Sequence, residues 1–567
     1  MCVCIYLYNM IKSATRIFLL VGVILFSITG NAQDKLLQIL KSELQREYEQ
    51  LRNADSNVYY ISYRVDDITT YRVSATFGVV NAIDSSRVRV FTPSVRLGTY
   101  QLDNTHNMQF GNTSGRLALV DDEALIKLAI WKNTDAAYKN AAQIYEQLLT
   151  NKRVRVAEED TAADFSAAKK EVYYDPPVHY AALKPDLLRV AEDLKAITKV
   201  FKQNPDLLTG SCNYEFKITR KYFVDTDGSE IIENATGVWL YIFGNTKADD
   251  GMELPLTKLY FAFEPARLPS RDSIIADAVI ISEKLSKLRT APLADPYVGP
   301  AILSGRASGV FFHEIFGHRL EGKRMKNEHD GQTFKNKIGT EVLPSFLSIT
   351  MDPTAKQVNG VDVNGYYRFD DEGVMGQKVD VVENGILKNF LMTRTPINGV
   401  SGSNGHARTA PGGIPESRQS NLIVTGKTDK TEADLRSMLI EECKKQGKPF
   451  GYYFADVQGG FTNVGRTTPN AFNVIPTEVY RVYADGRPDE LVRGVDLIGT
   501  PLSMFMRIAA CSKEMDTFNG SCGAGSGWVP VSASSPAIFV DLIETQKKSK
   551  SSERPPVLPR PDLDHEQ

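Results

Sequence analysis

The chain has 567 residues, of which 42 % are apolar and 24 % charged, and its formal net charge is −3. These fractions are those of ordinary globular proteins and exclude a disordered, collagen-like or polytopic membrane chain. No dense Lys/Arg patch is present, so no nucleic-acid partner is expected, because phosphate neutralisation requires one.

Residues 1–32 read as a secretion signal. Lys12 and Arg16 precede an apolar run over 17–28, and Gly30 and Ala32 supply small residues before Gln33. The run falls short of the roughly 20 residues a membrane-spanning helix needs, so the expectation is cleavage, export to the periplasm and no remaining span. A start at Met10 would give a compact positive leader and remove Cys2 and Cys4. Cys212, Cys443, Cys511 and Cys522 then remain, too few for a disulfide scaffold, with three pairings open among them.

Leu36, Leu37, Leu40, Leu44, Tyr48 and Leu51 recur at helical spacing and predict an amphipathic helix over 35–51. Residues 58–100 switch to short β-branched and aromatic runs, which predict short antiparallel strands. Helices return over 121–150 and 181–203. Strands over 214–224 and 237–244 flank Asp225-Thr226-Asp227-Gly228, read as a hairpin turn because a calcium loop would need Glu where Thr236 stands. A strand over 257–263 and a helix over 270–288 follow. Beyond 292–300 comes a helix carrying the main motif, and after 340 the pattern is mostly β. Asn384-Gly385 marks a hairpin between 379–382 and 386–392, and Ala484-Asp485-Gly486 a second one. The mixture is α+β rather than alternating βαβ.

Residues 309–322 read GVFFHEIFGHRLEG and place His313, Glu314 and His318 in an apolar segment, in a chain with only seven histidines. Such histidines can simply hydrogen-bond within a core. Metal-dependent hydrolysis, in contrast, needs two imidazoles on one side and a carboxylate to take a proton from water, as in H-E-x-x-H. Here the spacing is one residue longer, and a five-residue step in a regular α-helix turns the rings about 140° apart. A π turn or a helix break between His313 and His318, near Gly317, is therefore predicted. Glu314, His318 and Glu321 form a rival ligand set at four- and three-residue steps. Two histidines leave zinc one protein ligand short of a catalytic set. Cys522, among the small residues of 519–525, is the candidate third ligand, and a disulfide with Cys511 is its competitor.

Four ordered blocks, HEIFGHRLEG, FDDEGVMGQKVDVVENGILKNFLMTR, GVDLIGTP and GSCGAGSGWVPVSASSPAIFV, resemble the TldD/PmbA family of metallopeptidases, also described as modulators of DNA gyrase. The likeness runs over about 301–540 and is of the TldD type, since PmbA-type relatives lack the metal-binding residues. It implies a zinc peptidase with His313, His318 and Cys522 as ligands and Glu314 as general base. It also implies a mixed α/β N-terminal domain, with antiparallel strands and helices, over 33–295. A metal-binding helix and a largely β domain would occupy 296–545; from composition, the polar, Pro-rich end over 546–567 is expected to be a disordered, solvated tail. Family members act on short or unstructured peptides as homodimers or as heterodimers with a TldD/PmbA-type partner. The secretion signal departs from the cytoplasmic members. Two alternatives stay open: a non-catalytic, peptide-binding dimer subunit, and a hydrolase with Cys522 as nucleophile. Asp370, Asp371 and Glu372 match the family pattern and are expected to be solvated or to stabilise a hairpin.

Overall fold

The structure is a computed structural model that describes residues 34–549 except 55, 107–112, 153–160, 328–329, 466–471 and 500–503, together with 553–556, 558 and 561. The leader lies outside the described residues.

In the N-terminal half, helix α1 (Lys35–Asn53) leads into strands β1 (Val58–Thr76) and β2 (Val79–Leu97). Helices α2 (Glu123–Lys152) and α3 (Leu187–Lys202) follow, then strands β3 (Thr209–Asp225), β4 (Glu230–Lys247) and β5 (Glu253–Ala262), and helix α4 (Arg271–Thr290). The strands pair antiparallel in the order β2-β1-β3-β4-β5. The short strands expected over 58–100 are instead two strands of 19 residues each. Their apolar runs are interrupted by Arg, Asp and Ser, but the ladder continues through these residues. The chain reverses only at Phe77-Gly78, where φ is 48° and 82°. Positive φ at both turn residues is what a two-residue hairpin requires. Asp225 to Gly228 form a hairpin turn as read from the sequence, with Gly228 at φ 94°.

Strand alternation decides what each face of this sheet meets. On β1, Ile61, Tyr63, Val65, Val73 and Ala75 share the face covered by all four helices. The other face carries Tyr60, Arg64, Lys221 and Phe223, which turn to the C-terminal half.

That half begins with β6 (Tyr297–Leu303) and α5 (Gly305–Ile315), then β7 (Leu347–Met351), β8 (Val379–Glu383), β9 (Asn421–Gly426) and α6 (Glu432–Lys445). It ends with β10 (Phe450–Thr462), β11 (Phe472–Tyr483), β12 (Val495–Gly499), β13 (Ile508–Ala524) and β14 (Gly527–Lys547). Strands β6, β10, β11, β12 and β14 pair in sequence, and β14 returns to β6, which closes a ring. Strands β8, β7 and β9 extend from β14, and β13 pairs with it as a long hairpin. The α+β expectation, with a strand-rich C-terminal half, holds. The Asn384-Gly385 turn forms with φ 48° and 80°, but the strand after it is only Ile386–Leu387. Residues beyond it serve another backbone: the Leu391 amide donates to the Leu320 carbonyl, and the Leu391 carbonyl accepts from the Gly322 amide.

Candidate metal centre

Helix α5 starts directly after β6, with the Ser304 hydroxyl accepting from the Ala307 amide. Small residues let it lie against strands. A Cβ at Gly309 would come 2.8 Å from the Ala533 carbonyl, and Ser308 and Ser535 share a hydrogen bond of 2.8 Å. Apart from half-buried Arg306 the helix is buried, and Phe311, Phe312 and Ile315 fill the core.

The helix then breaks, as the spacing predicts. It ends at Ile315, and a 3-10 turn covers Gly317–Leu320; no π turn forms among these described residues. Three groups hold the break. The Arg319 guanidinium donates to the carbonyls of Ile315 (2.6 Å) and Glu314 (3.2 Å), serving acceptors that a continuing helix would have used. The Gln419 amide donates to the His313 carbonyl at 3.2 Å. Gly317 leaves room for it, since a Cβ there would lie 2.8 Å from Gln419 Nε2 and closer still to its carbonyl.

The break brings the two imidazole centroids to 5.0 Å. Cys522, near the tip of the β13–β14 hairpin, meets them from 204 residues away, with Sγ 3.3 Å from His318 Nε2. One donor atom from each of His313, His318 and Cys522 lies within 4.8 Å of the others, and all three residues are buried. Two nitrogens and a sulfur at such separations suit a tetrahedral ion bound at roughly 2.0–2.3 Å. Glu314 is beside them, its Oε2 3.8 Å from His318 Nε2, and Gly460 on β10 packs against its stem.

The electrostatics single out the same thiol. Burial raises Cys212 to about 12 and Cys443 and Cys511 to about 11. Burial would raise Cys522 as well, but the charges and hydrogen bonds of His313 and His318 outweigh it and hold this thiol down to about 4. Burial would lower His318, but Glu321 and Cys522 overcome it and push the ring up to about 10. Burial raises Glu314 above its ordinary carboxylate value. A thiolate beside imidazoles, with a buried carboxylate next to them, is a donor set suited to zinc.

The rival ligand set does not assemble. Glu321 meets the opposite ring nitrogen of His318, Nδ1, at 3.1 Å and is engaged by Arg324, so it backs the ring instead of facing Cys522. The Cys511 pairing fails too. Both cysteines lie on β13, and the seven regular steps from Met515 to Cys522 alone span roughly 20 Å, whereas bridged Cα atoms lie about 4.4–6.8 Å apart. Cys511 packs against Gly426, and all four described cysteines are free thiols.

Residues 297–547 match the family PmbA/TldA metallopeptidase C-terminal domain. This C-terminal half is that of the TldD/PmbA family. A metalloprotease of Archaeoglobus fulgidus is 30 % identical over 268 residues, 47 % of this chain and 58 % of the relative, so this chain spans little more than half of that protein. A zinc metalloprotease TldD homolog of Saccharolobus solfataricus is 26 % identical over 396 residues, 66 % of this chain and 82 % of the relative. The solved structure of TldE from Thermococcus kodakarensis shares the fold at a TM-score of 0.58 and 13 % identity, covering 88 % of this chain and 99 % of TldE.

Sequence reasoning reached His313, Glu314, His318 and Cys522 but missed what holds them. Gln419 carries no local signal, because its partner, the His313 carbonyl, is 106 residues away and brought to it by the fold, whereas Arg319 acts from within the motif on carbonyls four and five residues before it. The acidic run requires a correction. Asp370 is buried and accepts from the amides of Glu372, Val374 and Ala407. Asp371 accepts from Lys221 at 2.8 Å and lies 3.8 Å from Arg64. Glu372 accepts from the Arg394 amide at 2.7 Å. The run is not solvated: Asp370 braces the turn between Phe369 and Met375, as a hairpin-stabilising residue would, while Asp371 joins the C-terminal half to the open face of the N-terminal sheet.

Proposed function

We propose that this chain is a zinc-dependent peptidase acting on short or unstructured peptides, with His313, His318 and Cys522 as metal ligands and Glu314 as general base. One observation carries the reading: a helix break and a hairpin over 200 residues later in the chain converge on two imidazoles and a thiolate, with a buried carboxylate beside them. When bound there, zinc supplies Lewis-acid chemistry, polarising a scissile carbonyl and making water acidic. His313 and His318 would each offer a ring nitrogen, His318 giving up the proton that Glu321 and Cys522 favour in the metal-free site, and Cys522 would offer a thiolate already favoured by its neighbours. Glu314, its carboxylate raised by burial, takes the proton of the attacking water and returns it to the leaving amine. A relative named zinc metalloprotease TldD homolog supports the choice of zinc.

The leader pattern of Lys12, Arg16 and the run over 17–28 supports export to the periplasm. Among the described residues no helix is long and apolar enough to cross a membrane. A dimer, with a second TldD/PmbA-type chain or with another copy, is part of the proposal. The thiolate beside imidazoles also fits a Cys522-nucleophile hydrolase, and a chelator separates the two readings.

The test is hydrolysis of a mixed set of unstructured peptides by the chain from Gln33. Activity lost in chelator, restored by zinc, and lowered by about 10²–10⁴ in Glu314→Gln with zinc retained supports the proposal. Activity that persists in chelator and vanishes on thiol alkylation supports the cysteine hydrolase, and no activity with no metal supports a binding subunit.

A further inference from the structure

Glu321 is 0 % exposed, and the side chains that engage it donate to it or are cationic. Its Oε2 accepts from Arg324 Nε (2.9 Å) and Nη2 (2.7 Å). Its Oε1 meets His318 Nδ1 at 3.1 Å and Arg418 Nε at 3.7 Å. The backbone on either side is pinned, since the Leu391 amide donates to the Leu320 carbonyl at 2.8 Å and the Leu391 carbonyl accepts from the Gly322 amide at 2.9 Å. Arg418, also 0 % exposed, turns its remaining nitrogens to the Cys522 hairpin. Nη2 donates to the Cys522 carbonyl (2.6 Å), and Nη1 to Ser526 Oγ (2.7 Å) and the Gly527 carbonyl (3.0 Å). The turn that carries His318 and the strand that carries Cys522 are thus tied through one guanidinium.

We propose that Glu321 is a positioning residue that fixes which nitrogen of His318 faces Cys522, and that Arg418 couples it to the Cys522 strand, so that the pair sets the affinity of the site for zinc. The inference rests on the zinc reading above. A carboxylate only accepts, so the ring donates to it from Nδ1, and Nε2 is left to ligate on the side where Cys522 and Glu314 lie. A carboxylate behind a ligating histidine fixes its tautomer and raises its basicity.

The geometry makes a glutamine at this position more than a loss of charge. Arg324 can only donate, so in Glu321→Gln the new side chain must give its carbonyl to Arg324 and present its amide hydrogens to His318 Nδ1. The ring then accepts at Nδ1 and holds its hydrogen on Nε2, where the metal would bind. Removing Arg324 instead leaves Glu321 opposite His318 and should spare the tautomer.

The experiment is zinc affinity of the chain from Gln33, read by competition with a chromophoric chelator, with the cobalt(II)–thiolate absorption band as a second readout. Glu321→Gln should bind zinc about 10–100-fold more weakly and alter the cobalt band, while Arg324→Met stays within about threefold of wild type. Equal affinity in Glu321→Gln and wild type overturns the proposal, as does an Arg324→Met variant as weak as Glu321→Gln. If Glu321→Gln does not fold, Arg418→Gln carries the test: about a tenfold or greater loss, on the scale expected for such partners, supports the coupling, and unchanged affinity overturns it. A wild-type chain that takes up no zinc overturns the zinc reading together with this inference, whereas unchanged variants of a zinc-binding wild type overturn the inference alone.

Discussion

Replacing Gly317 by Ala probes the helix break on which the site depends. A Cβ at 317 would stand 2.8 Å from Gln419 Nε2 and closer to that side chain's carbonyl, against a comfortable separation of about 3.5–4.0 Å. Gln419 is 0 % exposed and cannot swing into solvent. If it yields, its hydrogen bond to the His313 carbonyl is lost and a buried acceptor is left unpaired, at about 1–3 kcal/mol. If residues 316–320 shift instead, the overpacking strain is about 1–3 kcal/mol and His318 moves away from Cys522. Either route puts Gly317→Ala at about 1–3 kcal/mol. Gln419→Ala removes the obstacle, so the double variant should be no less stable than Gln419→Ala alone, a coupling of at least about 1 kcal/mol. The assay is denaturant unfolding of the four proteins by circular dichroism, checked for separate transitions of the two halves. A Gly317→Ala chain within about 0.5 kcal/mol of wild type, or strictly additive effects, would refute the account of the break.

Two further outcomes follow from buried groups outside the metal donors and from the long strand that carries one of them. Burial holds His406 down to about 3 against an ordinary 6.5, so the folded chain keeps it neutral while the unfolded chain protonates it. Its contribution is complete above pH 6.5 and is lost as pH falls from 6.5 towards 3; wild-type stability should there drop by up to about 1.4 kcal/mol per pH unit more than in His406→Asn, measured by denaturant titration across pH. Equal slopes would contradict it. Chelated and mildly oxidised protein, mapped by peptide mass, should contain no Cys511–Cys522 bridge within a chain, because β13 keeps the two residues at separate places along one strand; finding that bridge in folded protein would contradict the strand register.

Much of this architecture is legible in the sequence where the signal is local. Leu36 to Leu51 announce α1 through their spacing, and Asn384-Gly385 announces a turn through positive φ. The misplaced spacing of His313 and His318 is itself informative, because only a broken helix makes it useful. Local reasoning fails where partners are distant. Residues 58–97 look like several short strands because Arg64, Asp66, Asp67 and Arg89 interrupt them, yet Asp67 is buried against Arg87 and Arg89 within the ladder. Asp370, Asp371 and Glu372 look solvated because Lys221 and Arg64, 150 and more residues earlier, supply the charge that Asp371 meets. Glu321 is visible at a three-residue step from His318, but its place behind the ring rests on Arg418 and the backbone of Leu391, which only the fold brings in.

The central claim is that His313, His318 and Cys522 hold one zinc ion. Elemental mass spectrometry of the purified chain from Gln33, beside its Cys522→Ser variant, tests it most directly. The account predicts close to one zinc per wild-type chain and little or none in a folded Cys522→Ser. Metal-free wild type after zinc loading, or equal zinc in both proteins, would contradict it.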